Sequence, residues 1–261
     1  MTAAIASSPV TAHAAAATSR AAFRAPTPQP SAPRFDMYAP IHKALRNCMS
    51  DTLRRVGRLD VSDAPDMAAS LGQMHELLDL CLGHLQHENG FVHTAIEARR
   101  PGGAARTCAD HVEHVESIEA LRAEALALPT AAEPLRPGLA LRLYQHLALF
   151  IAENYQHMHI EETANNTALW SLYSDVELLA IHARLMASID PQEQLQVARW
   201  LIPAVTPLEA AEILNGARSQ MPPEVFEVVL DTVRPHVDVN TWSQLCDTLG
   251  AAPRLGPPIP A

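Results

Sequence analysis

From Met37 to Leu172 the apolar residues recur every three or four positions, through four long stretches separated by breaks rich in proline and glycine. That spacing puts one oily stripe on each of four α-helices, and four such stripes must be buried against one another. The stretches span roughly 37–57, 66–97, 108–128 and 138–172, and the first carries Tyr38, His42, Leu45, Met49 and Leu53 along its stripe. Gly57 and "DVSDAPD" separate the first two, while "RRPGGAART" and "PTAAEPLRPG" make the later breaks. Asn89-Gly90 alone would signal a turn, yet apolar spacing resumes beyond it and predicts that the second helix continues. The expected fold class is all-α: an antiparallel up-down four-helix bundle over 36–173, followed by a smaller helical module.

That module is expected over 174–250, as short helices near 175–188, 192–202, 207–218, 223–234 and 239–249. "SIDPQEQ", "VTPLEAAE" and "MPPEVFE" each place a small or polar cap, a proline at or near the first helical position and an acid in the first turn. No motif in it carries a chemical mechanism. Residues 1–35, rich in Ala, Pro, Ser and Thr and without an acid, predict a disordered tail, with a transit peptide as the alternative. Residues 251–261 predict a flexible tail.

A formal net charge of -10 argues against a nucleic-acid surface. No apolar run approaches the roughly 20 residues of a membrane span. The four cysteines are scattered without a C-x-x-C pair, which suits reduced thiols and predicts a cytoplasmic protein. Thirteen histidines are the oddity.

Three H-x-x-x-E pairs occur: His84/Glu88, His93/Glu97 and His157/Glu161. Residues four apart share a helix face, so both side chains can reach one ion. On a regular helix His84 and Glu88 lie within the apolar stripe of the second stretch, whereas His93 falls half a turn away and is expected to face solvent or a neighbouring element. On the fourth stretch His146, Phe150, His157 and Glu161 share the stripe. His42 faces inward on the first, and His111 and His114 share the face of Val115, Ile118 and Leu121 on the third. The separation of His42 from His84 nearly equals that of His114 from His157, so the two halves superimpose as a repeat and favour His114, with His111 as a further imidazole one turn away. Buried carboxylates and imidazoles are costly without partners. Hydrogen-bonded core histidines explain any single pair; a cation explains the set more simply.

"IHKALR", "HLQHE", "EHVESIEAL" and "HMHIEE", in this order, resemble the hemerythrin-like, or HHE cation-binding, domain over roughly residues 37–172. The resemblance implies a four-helix bundle around two non-haem iron ions. Its implied ligands are His42, His84, Glu88, His114, His157 and Glu161, the glutamates bridging and the imidazoles terminal. Oxygen-carrying hemerythrins have H-x-x-x-H on the third helix and an aspartate late on the fourth. His111-x-x-His114 and Glu161 look closer to the bacterial and regulatory HHE proteins. Asn89 stands where a further acid is frequent. Imidazole and carboxylate also suit manganese or zinc. Glu113, Tyr155 and His146 are the candidates to orient the imidazoles.

The leading expectation is a di-iron protein that binds or senses O2, NO or peroxide. The second is enzymatic: repair of nitrosatively damaged iron–sulfur clusters, peroxide removal or iron donation. The cysteine-bearing N-terminal module of such relatives has no counterpart in "MTAAIASSPV". The third is a metal-free helical scaffold on which residues 174–250 dock a protein partner.

Overall fold

The computed structural model describes residues 34–250. The tails expected over 1–35 and 251–261 fall outside that range, save Arg34 and Phe35. Both are tied down: Arg34 Nε lies 2.6 Å from Asp175 Oδ1, and Trp170 Nε1 donates to the Phe35 carbonyl at 2.9 Å.

Among the described residues the chain is all helix, with no strand. The first long helices are α1 (Ala39–Val56) and α2 (Ala64–His87). A π-helical turn, Glu88–His93, leads from α2 into α3 (Thr94–Arg99) without a break. Then come α4 (Ala105–Ala127) and α5 (Arg136–Ile160), and a second π-helical turn, Glu161–Asn165, joins α5 to α6 (Asn166–Leu172). The shorter α7 (Asp175–Ser188), α8 (Pro191–Leu201), α9 (Pro207–Arg218), α10 (Pro223–Val233) and α11 (Val239–Leu249) follow.

Local chemistry sets these limits. Asp63 caps α2, accepting from the Asp66 amide, and Ser174 and Thr206 form capping boxes with Glu177 and Glu209. Pro191, Pro207 and Pro223 open α8, α9 and α10, where a missing amide proton costs nothing. Gly250 ends α11 in the left-handed region, at φ 62°.

The two π-turns begin at the glutamates of the two internal H-x-x-x-E pairs. In each, the ladder closes five residues back instead of four, so one extra residue enters the turn. Asn89-Gly90, both poor helix formers, supply the slack in the first. Side chains satisfy carbonyls at these turns: Thr94 Oγ1 donates to the Asn89 carbonyl at 2.9 Å, Thr163 Oγ1 to His159 at 2.6 Å and Asn166 Nδ2 to Glu162 at 3.3 Å. The apolar spacing continues through both turns but on a rotated face.

The long helices contact one another in a ring: α1 against α2, α2 against α4, α4 against α5, and α5 against α1. Leu45, Met49, Met74, Leu77, Ile118, Leu121, Leu147 and Phe150 fill the core between them. Met37, Tyr38, Val92, Ile96, Leu169 and Leu178 form a separate apolar cluster, drawn from the segment leading into α1, the first π-turn, α3, α6 and α7. The C-terminal helices have their own core, including Leu214, Phe226, Val233 and Leu245. α8 packs on α1, and its Trp200 joins the main core while its backbone carbonyl accepts from Asn47 Nδ2 at 3.1 Å. No helix among the described residues is long and apolar enough to cross a membrane.

Candidate metal centre

Two carboxylates lie at the centre of the long helices. Glu88 is 3% exposed and Glu161 0%. Each starts a π-turn, one helical turn after its paired histidine. Five imidazole Nε2 atoms surround them. His84 Nε2 is 3.3 Å from Glu88 Oε1; His42 Nε2 is 3.8 Å from the same oxygen and 3.5 Å from Glu161 Oε2. On the other side His111 Nε2 lies 3.4 Å from Glu88 Oε2 and 3.6 Å from Glu161 Oε1. His157 and His93 put Nε2 at 3.2 and 3.6 Å from that Glu161 Oε1. Each carboxylate therefore gives one oxygen to the His42/His84 side and the other to the His93/His111/His157 side.

Both oxygens of Glu88 and of Glu161, together with His42 Nε2 and His84 Nε2, are buried without a hydrogen-bond partner. Six such atoms in one place would be a severe cost if nothing else met them. Their spacing suits a cation. With ligand bonds of about 2.1 Å, two donors on one ion sit about 3.0 Å apart at a right angle and about 3.4 Å apart at the tetrahedral angle. Two sets have all their donor atoms within 4.8 Å of one another: His42, His84, Glu88 and Glu161, and Glu88, His93, His111 and Glu161. These buried groups could hold a metal ion.

Four of the five outward ring nitrogens are anchored, those of His42, His93, His111 and His157. His42 Nδ1 is 3.0 Å from Glu162 Oε1, and Arg46 clamps that carboxylate at 2.6 and 3.1 Å. Asn89 Oδ1 receives two imidazoles, His93 Nδ1 at 3.0 Å and His111 Nδ1 at 2.9 Å. Asp110 Oδ2 lies 3.2 Å from His157 Nδ1. An oxygen acceptor on Nδ1 fixes that proton outward and leaves Nε2 facing the carboxylates, the arrangement usual for ligating histidines. His111 and His157 bring these Nε2 atoms to 3.0 Å from each other. Two lone pairs at that distance repel unless a proton or a cation lies between them.

Electrostatics points the same way. Burial presses His42 down, yet contacts with Glu161, Glu162 and Glu88 outweigh it and carry the imidazole up to about 10. His111 is raised to about 9, again against burial, by Glu161 and Glu88. Burial works to raise Glu161, but the imidazoles of His111, His157, His42 and His93 hold it well below the ordinary carboxylate range. The pocket demands positive charge, from protons or from metal.

The structure thus gathers His42, His84, Glu88, His157 and Glu161, as their spacing led us to expect, and departs from the sequence reading at two histidines. His93, expected to face away, is 3% exposed and points into the cluster. The wheel assumed a regular helix, whereas the π-turn stacks the fifth residue after Glu88 back over it. His114, favoured over His111, lies outside both donor sets, as does His157, but unlike His157 it reaches neither carboxylate. Its ring meets Phe150 edge-on at 6.1 Å and His157 at 4.9 Å, its Nδ1 has no partner, and burial first, then His157 and His111, press it down to about 4. The repeat argument assumed equal heights on both halves; on α4 the carboxylates stand one turn nearer the N-terminus, level with His111.

The orienting groups also differ from those expected. His146 Nδ1 faces Glu124 at 3.5 Å, the Tyr155 hydroxyl contacts Ser50 Oγ at 3.0 Å, and Glu113 is exposed. Glu162, Asn89 and Asp110 hold the rings instead. No protein-family model, curated protein or solved structure matches the chain.

Proposed function

We propose that this chain is a hemerythrin-like protein. Its long helices act as an antiparallel up-down four-helix bundle, and two iron ions are held between Glu88 and Glu161. The observation that supports this reading is the division of each carboxylate, one oxygen toward His42 and His84 and the other toward His93, His111 and His157. The two carboxylates, with two imidazoles on one side and three on the other, would hold the ions, and the smaller donor set on the His42/His84 side would leave more room there for a small ligand. Iron would supply a redox-active Lewis acid there for O2, NO or peroxide. The protein's part is to orient and enclose. Glu162, Asn89 and Asp110 hold the imidazoles, and the cluster around Val92, Ile96 and Leu169 keeps bulk water from this end of the site. A cytoplasmic setting, in which the four free cysteines stay reduced, goes with this function.

The direct test is metal analysis and optical spectroscopy of protein purified from iron-supplemented culture. About two irons per chain, with the near-ultraviolet and visible bands of a bridged ferric pair, are expected. A colourless protein holding zinc, or none of these metals, would reject the iron assignment. Asn89→Leu removes the acceptor shared by His93 and His111 and should weaken metal binding roughly 10–100-fold in a chelator competition. An unchanged affinity would mean that those two rings need no outer anchor.

A further inference from the structure

Tyr38 is a buried polar group beside the cluster that the metal reading leaves without a task. It stands one turn before His42, is 1% exposed, and its ring centroid lies 5.4 Å from that imidazole. Its hydroxyl accepts from Asn165 Nδ2 at 3.4 Å; the same nitrogen donates to Thr107 Oγ1 at 3.2 Å, and Thr107 Oγ1 is 3.1 Å from His93 Nε2. The phenol ring therefore lies beside His42, and its hydroxyl is linked through Asn165 and Thr107 to His93. Those two imidazoles address opposite oxygens of Glu161, Oε2 at 3.5 Å and Oε1 at 3.6 Å. Glu161, like Glu88, belongs to both donor sets, and Tyr38 is connected to an imidazole on each side of it, to His42 by ring contact and to His93 through Asn165 and Thr107.

Among the described residues the Tyr38 hydroxyl takes part in one hydrogen bond, which it accepts from Asn165 Nδ2, and no group accepts its proton. A buried O–H without an acceptor is costly, and it waits for one that comes from outside the chain. Around it Met37, Val92, Ile96 and Leu169 are apolar and offer no substitute. An ordinary phenol keeps its proton at neutral pH, so the hydroxyl is a donor there.

Resting on the cation-pair reading, we propose that Tyr38 is a positioning residue that donates its O–H to a small anion bound at the pair. It thereby selects anionic acceptors of azide or hydroperoxide type over neutral diatomics such as NO. An anion gains a charge-assisted hydrogen bond from the phenol, whereas neutral NO, a poor acceptor, gains almost none. No electron passes through Tyr38 in this role and its O–H bond stays intact.

The experiment uses the full chain loaded with iron, with iron content measured first, azide and NO as probes, and the variant Tyr38→Phe. Azide affinity is expected to fall about tenfold or more, the worth of one hydrogen bond to a charged acceptor, while NO affinity changes less than about twofold. Equal azide affinities, or equal losses for both probes, overturn the proposal. Wild-type protein without iron sinks the cation-pair reading and this inference with it; iron present with azide unaffected sinks the Tyr38 role alone. Should Tyr38→Phe fail to hold iron, the infrared azide stretch of the wild type decides. A shift on exchange into D2O is expected from a hydrogen-bonded azide, and its absence overturns the proposal.

Discussion

Glu161→Gln is expected to lower metal affinity by at least about a hundredfold and to yield protein with almost no metal after dialysis, whereas His114→Leu should load like the wild type. Glu161 is fully buried, and its two oxygens face four imidazoles. An amide there removes one of the two buried negative charges and puts an NH2 donor where a cation expects a lone pair. Loss of an outer-shell partner alone costs roughly 10–100-fold, so loss of a shared direct ligand costs more. His114 offers the contrast: it touches Phe150 and His157 but neither carboxylate, and a leucine can fill much of its place. His111→Ala should fall between the two, nearer to Glu161→Gln. Metal analysis of the four proteins, with circular dichroism to show that each is folded, reads the order directly. If His114→Leu loses metal and His111→Ala does not, the two-sided donor arrangement is wrong.

The helices were legible because their apolar spacing, proline starts and glycine stops are local signals. His84/Glu88 and His157/Glu161 were legible for the same reason: residues four apart on a regular helix need no tertiary knowledge to be aligned. His93 was not, since a wheel carries a fixed angle through Asn89-Gly90, and that dipeptide marks the place where the angle changes. The choice of His111 over His114 turned on the height of α4 against its neighbours. Height is set by the "RRPGGAART" loop and by packing, and sequence spacing measures neither. Asn89 is the most telling case. Its position, read as the absence of a carboxylate, is where one amide oxygen anchors two imidazoles from different helices. A side chain's second role, accepting across an interface, has no signature in a single sequence.

Stripping the metal should lower the melting temperature, and the loss should grow as the pH rises above neutrality. A ligand held at a thousandfold excess over its dissociation constant adds about 4 kcal/mol, and a chain of this size shifts roughly 2–4 °C per kcal/mol, so a drop of roughly 8–16 °C is expected at pH 7. The pH dependence of the metal-free chain follows from its imidazoles. His42 and His111 sit at about 10 and about 9 when folded, against 6.5 unfolded, so the stability they contribute is fully present below pH 6.5 and is lost as the pH climbs through 9 and 10. His84 and His114 are held at about 4, mainly by burial, so they withdraw stability as the pH falls from 6.5 through 4. Glu162, lowered to about 2, withdraws more as the pH falls from 4.5 toward that value. The metal-free chain should therefore be most stable near pH 6.5 and weaken on both sides. Bound cations replace the imidazole protons, so the loaded protein escapes the alkaline loss but not the acid one, where protons compete for the same Nε2 atoms and release the metal. Melting curves of loaded and stripped protein from pH 5 to 9 should diverge steadily above 6.5. Parallel curves over that range would mean that no cation balances these carboxylates, and that protonated histidines alone hold the centre together.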